Sequence, residues 1–140
     1  MDGDKASMDT LYSLAEAHDA ELLIDEAHAV GVFGKGLCEK EVLVRSGTLS
    51  KAFASYGGFL LCSKKVKQLI YSKARSFIFN TSLPPAVVAS SLEALEICRE
   101  DSSLGPRLLS HSKFFCDELR WKGVELLNSE TQIIPILVKD

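Results

Sequence analysis

Several common signatures are missing from this sequence, and each absence removes a class of function. There is no basic excess: Lys plus Arg number 16 against 19 Asp plus Glu, a formal net charge of −3. Nucleic-acid surfaces need clustered positive charge, so no nucleic-acid partner is expected. No apolar run approaches the roughly 18 residues that cross a bilayer, the stretch from Ile133 to Val138 being among the longest. The opening Met1-Asp2-Gly3-Asp4 has neither a basic nor an apolar leader region. The expectation is therefore an unexported, cytoplasmic chain with no membrane partner. Cys38, Cys62, Cys98 and Cys116 are unevenly spaced, without a CxxC pair. They are expected as small buried hydrophobes, so neither metal nor disulfide is implied.

What is present suits a folded α/β domain. Hydrophobic residues make up 46% of 140, enough for a core. Ser7 is placed to cap a helix with Met8, Leu11, Leu14, Ala15 and His18 on one face. Glu21 to Asp25 reads as a buried parallel strand ending on a carboxylate, Val42-Leu43-Val44 as a second and Gly57 to Cys62 as a third. Ser63 caps a helix, Pro84-Pro85 opens another, and a polar break from Asp101 to Pro106 precedes a long helix stopped near Gly123. Gln132 to Val138 reads as a last strand, with Pro135 favouring an edge. Strands alternating with helices predict a layered fold with a mainly parallel sheet.

Two stretches carry chemistry. Asp25-Glu26-Ala27-His28-Ala29-Val30-Gly31 lies where the first strand ends, and Gly47-Thr48-Leu49-Ser50-Lys51-Ala52 follows the second. Ligands of open α/β sheets sit at the carboxyl ends of strands, so both would face one crevice. A pyridine-ring cofactor needs a carboxylate to keep its ring nitrogen protonated, and Asp25 is placed for that. It also needs a lysine to bond its aldehyde, which Lys51 supplies in a run of small residues. Thr48 and Ser50 offer hydroxyls for a phosphate, and His28 can reach the phenolic oxygen or ring face. His18, His111 and the cluster Lys64, Lys65 and Lys67 are expected to be structural or solvated.

The ordered set of both motifs, with Gly57-Gly58-Phe59, Arg75-Ser76-Phe77-Ile78-Phe79, Leu83-Pro84-Pro85 and Ile133-Ile134-Pro135, resembles the α-oxoamine synthase family of fold-type I pyridoxal phosphate enzymes. The resemblance implies part of a three-layer α-β-α large domain over residues 1–100, and a linker helix and first strand of the small C-terminal domain over 101–140. It implies pyridoxal 5'-phosphate as cofactor and amino-acid and acyl-thioester substrates. Lys51 would hold the cofactor and move the substrate α-proton, Asp25 pair with the ring nitrogen, His28 contact the phenolic oxygen and Thr48 hold the phosphate. In the family's homodimer, Thr81 would reach the neighbouring subunit's phosphate. Serine before Lys51 and alanine on both flanks of His28 favour the 8-amino-7-oxononanoate synthase branch. That branch condenses alanine with pimeloyl-CoA or pimeloyl-carrier protein in biotin biosynthesis. The alternatives are the glycine C-acetyltransferase, 5-aminolevulinate synthase and serine palmitoyltransferase branches, or a non-catalytic fragment.

The family pattern also extends beyond both ends of the chain, so a fragment of the full enzyme is expected. The loop between Gly36 and Val42 is shorter than in the family, Ala54 stands where glycine is usual, and Asn80 where serine is usual. An isolated parallel sheet exposes edges and apolar faces, so the chain alone is expected to be marginally folded and nearly inactive. Asp25-Glu26-Ala27-His28 also spells a helicase signature, but the phosphate loop such an enzyme needs is missing, since Gly34-Lys35-Gly36 lacks its spacing and hydroxyl.

Overall fold

The computed structural model describes residues 2–138; Met1, Lys139 and Asp140 lie outside the described residues. Three strands, β1 (Leu23–Asp25), β2 (Val44–Thr48) and β3 (Gly58–Cys62), form one sheet in the order β1-β2-β3. β1 runs parallel to β2, with Leu23 opposite Val44 and Asp25 opposite Ser46. β2 runs antiparallel to β3, with Arg45 opposite Leu61 and Thr48 opposite Gly58.

The sheet is thus mixed rather than mainly parallel. The chain between Thr48 and Gly58 is too short for a crossover, which needs a dozen or more residues, so β3 can only return antiparallel. β2 also starts later than expected, so Gly47 and Thr48 finish the strand instead of following it. β1 is an edge strand with Leu23 65% exposed, not a buried one.

Helix α1 (Met8–Ala17) starts at Ser7, whose hydroxyl pairs with Thr10 Oγ1 at 2.8 Å and caps no backbone N–H. His18 ends that helix and is exposed, as is His111. α2 (Lys64–Lys73) has the expected cap, Ser63 Oγ accepting from the Val66 N–H at 3.3 Å. Lys64, Lys65 and Lys67 are exposed on it. The single turn α3 (Arg75–Ile78) leans on α2 through an edge-to-face contact of Phe77 with Tyr71, centroids 4.9 Å apart. α4 (Pro85–Glu100) opens on proline, and α5 (Leu104–Trp121) stops just before Gly123.

The predicted last strand is reduced to one bridge between Ile136 and Leu126. Side chains compete for its backbone: Ser129 Oγ takes the Thr131 N–H at 3.2 Å, and Thr131 Oγ1 takes the Ile133 N–H at 3.2 Å. The Glu130 N–H reaches back to the Gly3 carbonyl at 3.0 Å, joining the two ends of the described chain.

Buried apolar residues include Val32, Val44, Phe53, Cys38 and Cys116, while Cys62 and Cys98 are half-buried. Among the described residues no large side chain is completely buried, and Phe79 and Trp121 are 78% and 81% exposed. A chain with so little enclosed apolar volume gains little from burial against its conformational entropy.

Two outcomes follow. Purified 140-residue chain should bind a hydrophobic dye and melt broadly; a sharp cooperative melt without dye binding would overturn this reading. Ala54 holds φ +46°, where a Cβ is strained. Ala54→Gly should therefore stabilise the chain by about 0.5–1 kcal/mol in urea unfolding, strain relief exceeding the added unfolded-state entropy.

Candidate active site

Because β1 and β2 are parallel, Asp25 and Thr48 end their strands on the same side of the sheet. After Asp25 the chain turns sharply. Asp25 Oδ1 accepts from the Ala27 N–H at 2.8 Å, and the Glu26 carbonyl accepts from Ala29 and Val30 at 2.9 and 3.1 Å. His28 sits half-buried within that turn.

After Thr48 a second loop closes around Lys51. The Leu49 N–H donates to Gly57 O at 2.9 Å, Ser55 N–H to Leu49 O at 2.8 Å and Ala54 N–H to Lys51 O at 3.0 Å. Thr48 Oγ1 donates to Gly57 O at 3.1 Å and lies 2.8 Å from Ser50 Oγ. Ser55 Oγ donates to the Val87 carbonyl at 3.2 Å, and Ser91 Oγ lies 2.9 Å from Ser55 Oγ, so the loop is tied to α4. Phe53, 3% exposed, anchors it inward.

The two loops touch at Gly31, which has φ +85° and where a Cβ would come within 2.6 Å of Ala52 Cβ. Glycine answers both demands at once. The result is a cavity of about 460 Å³ whose walls include Asp25, His28 and Lys51, with Lys5, Phe33 and Gln132. Three sequence-predicted residues therefore share one space. Thr48 stands at the base of the lysine loop, its hydroxyl engaged with Ser50. Thr81 lines a separate cavity of about 820 Å³ with Ser50, Tyr56, Gly57 and Gly58.

Asp25 and Lys51 are exposed, where the expectation put the carboxylate in a buried setting. The reason is the edge position of β1, which leaves one flank of the strand uncovered. The Lys51 amino group has no hydrogen-bond or ion-pair partner among the described residues.

Two contributors escaped the sequence reading. Glu26, 3% exposed, receives the Arg45 guanidinium, with Nε at 2.7 Å, and the Cys38 N–H at 2.8 Å. Gln132 donates from Nε2 to the His28 carbonyl at 2.9 Å, while its Oε1 is buried without a partner. An acidic residue next to a chemically expected one was the available signal for Glu26. The Gln132 contact spans 104 residues and leaves no local trace.

Comparison with known proteins agrees with this geometry. A family model described as aminotransferase class I and II matches residues 1–140. A putative 8-amino-7-oxononanoate synthase from Acidiphilium cryptum (strain JF-5) is 42% identical over 141 residues, 99% of this chain and 36% of its own length. Among solved structures, a serine palmitoyltransferase variant from S. paucimobilis, described with a bound PLP–myriocin aldimine, superposes with a TM-score of 0.85. It is 26% identical and covers 100% of this chain and 39% of its own. An 8-amino-7-oxononanoate synthase from Francisella tularensis gives a TM-score of 0.68 at 27% identity, covering 87% of this chain and 39% of its own. The chain thus spans little more than a third of the length of these relatives. With a family match along its whole length and this α/β arrangement, the chain belongs to the aminotransferase class I and II family, as part of a fold-type I large domain of the α-oxoamine synthase kind.

Proposed function

We propose that this chain carries the cofactor-binding part of a pyridoxal phosphate-dependent acyltransferase that joins an amino acid to an acyl thioester. The observation that supports it most is the convergence of Asp25, His28 and Lys51 on one cavity. The donor set of the cavity suits the cofactor's ring: a carboxylate for the pyridine nitrogen, an imidazole for the phenolic oxygen and an amine for the aldehyde carbon. The Thr48–Ser50 hydroxyl pair, which would serve the phosphate, lies outside the cavity wall at the base of the lysine loop. When bound, pyridoxal phosphate supplies the electron sink that makes a substrate α-hydrogen acidic. Asp25 holds the proton on the ring nitrogen, and His28 orients the ring through its phenolic oxygen. Lys51 Nζ takes the α-proton. In a homodimer, Thr81 reaches the phosphate of the neighbouring subunit. On the same reading, residues 1–100 belong to the large domain and 101–140 begin the small one.

The wider family reading is better supported than the biotin-pathway reaction alone. The A. cryptum sequence relative carries the 8-amino-7-oxononanoate synthase name, whereas superposition is fuller on serine palmitoyltransferase, 0.85 against 0.68. Alanine and a pimeloyl thioester are the substrates under the first name, and serine is the amino acid under the second.

Mixing the 140-residue chain with pyridoxal phosphate should give visible absorbance, and borohydride reduction with peptide mapping should place the label on Lys51. Label spread over Lys64, Lys65 and other exposed lysines would overturn the assignment. With label on Lys51, exchange of the amino-acid α-hydrogen in D2O, followed by NMR for alanine, serine and glycine, should rank the substrates. Lys51→Ala should slow that exchange by on the order of 10²–10⁴-fold, the usual worth of a positioned base.

A further inference from the structure

We infer that Glu26 and Arg45 form a positioning latch that sets the placement of Asp25 and His28 relative to Lys51. This rests on the proposed cofactor site and deepens it. Glu26 directly follows Asp25 and contacts both motif-bearing segments. Its backbone N–H donates to the Ser46 carbonyl on β2 at 2.8 Å, extending the parallel ladder past Asp25. Its carbonyl accepts from Ala29 and Val30, closing the turn that contains His28. Its buried carboxylate accepts from the backbone of Leu37 and Cys38 and from Arg45 Nε and Nη2. Arg45 Nη2 donates in addition to the Lys35 carbonyl at 2.7 Å.

One side chain therefore joins three things: the strand end bearing Asp25, the short loop at 35–38, and β2, which leads into the lysine loop. Gly36 presses directly on this carboxylate. A Cβ there would stand 2.3 Å from Glu26 Oε1, and its φ is +105°. The loop is thus fitted to the charge it encloses. Glu26 is among the residues that line the cavity with Lys51, whereas Arg45 is not; the Glu26 carboxylate is occupied by Leu37, Cys38 and Arg45. Their action is through Asp25 and His28.

The test uses Glu26→Gln, which keeps shape and removes charge, and Arg45→Lys, which keeps charge and loses the two-pronged fit. In the 140-residue chain, held where circular dichroism shows each variant folded, Glu26→Gln should lower the ratio of label on Lys51 to label on Lys64 and Lys65 by about tenfold. It should also shift the visible absorbance, and Arg45→Lys should fall between it and the parent. Amide exchange at Ala29 and Val30 should quicken by about tenfold in Glu26→Gln, reporting local opening of the turn. Unchanged Lys51 selectivity in a variant with a lower melting temperature would overturn positioning and leave only a structural role. If the parent chain itself fails to label Lys51, the cofactor reading falls. The latch is then judged on amide exchange alone, and unchanged protection at Ala29 and Val30 would overturn it.

Discussion

A carboxylate removed from water constrains much of this molecule. An unpaired buried charge costs several kcal/mol, so Glu26 has to gather donors from wherever the chain can bring them. It finds them in two backbone amides of a loop and in the guanidinium of Arg45 on the neighbouring strand. Satisfying that one group fixes how β1 sits beside β2, how the 35–38 loop folds back, and where the Asp25–His28 turn points. The pairing of Asp25 with Ser46 is the register that results.

Much of the site was legible in the sequence because its information is local. A strand ending on Asp25, a histidine three residues on, and a lysine flanked by hydroxyls can all be read within short windows, and the fold brings Asp25, His28 and Lys51 to one cavity. Helix starts at Ser63 and Pro85 were equally local, since capping and proline placement depend on a few neighbouring residues. What was not legible depended on distance or context. The antiparallel return of β3 follows from the length of a connection, not from the pattern of the strand. At the start of the expected last strand the Thr131 hydroxyl captures the Ile133 N–H and the Ser129 hydroxyl the preceding Thr131 N–H, a competition that apolar periodicity does not register. Burial of Asp25 was expected from the apolar residues before it, but an edge strand covers only what its neighbours reach.

The departures from the family pattern acquire physical meaning in the same way. Ala54 occupies a left-handed backbone position in the tightest part of the lysine loop, where glycine carries no steric cost. The loop nonetheless holds, because hydrogen bonds at both its ends and the Ser55–Ser91 contact on α4 over-determine its path. The segment from Lys35 to Cys38 is held at the site by Glu26, which accepts from the Cys38 N–H, and by Arg45, which donates to the Lys35 carbonyl.

The join between Gly3 and Glu130 has a further effect on how the site is enclosed. The cavity beside Lys51 is walled by Asp4 and Lys5 from one end of the chain and by Thr131, Gln132 and Ile133 from the other. The hydrogen bond from Glu130 to Gly3 therefore holds together one wall of the pocket out of two segments that lie far apart in sequence. Lys51, itself exposed and carried by the loop anchored to α4, joins the same cavity from a third segment, so three separate stretches of the chain meet around one amine.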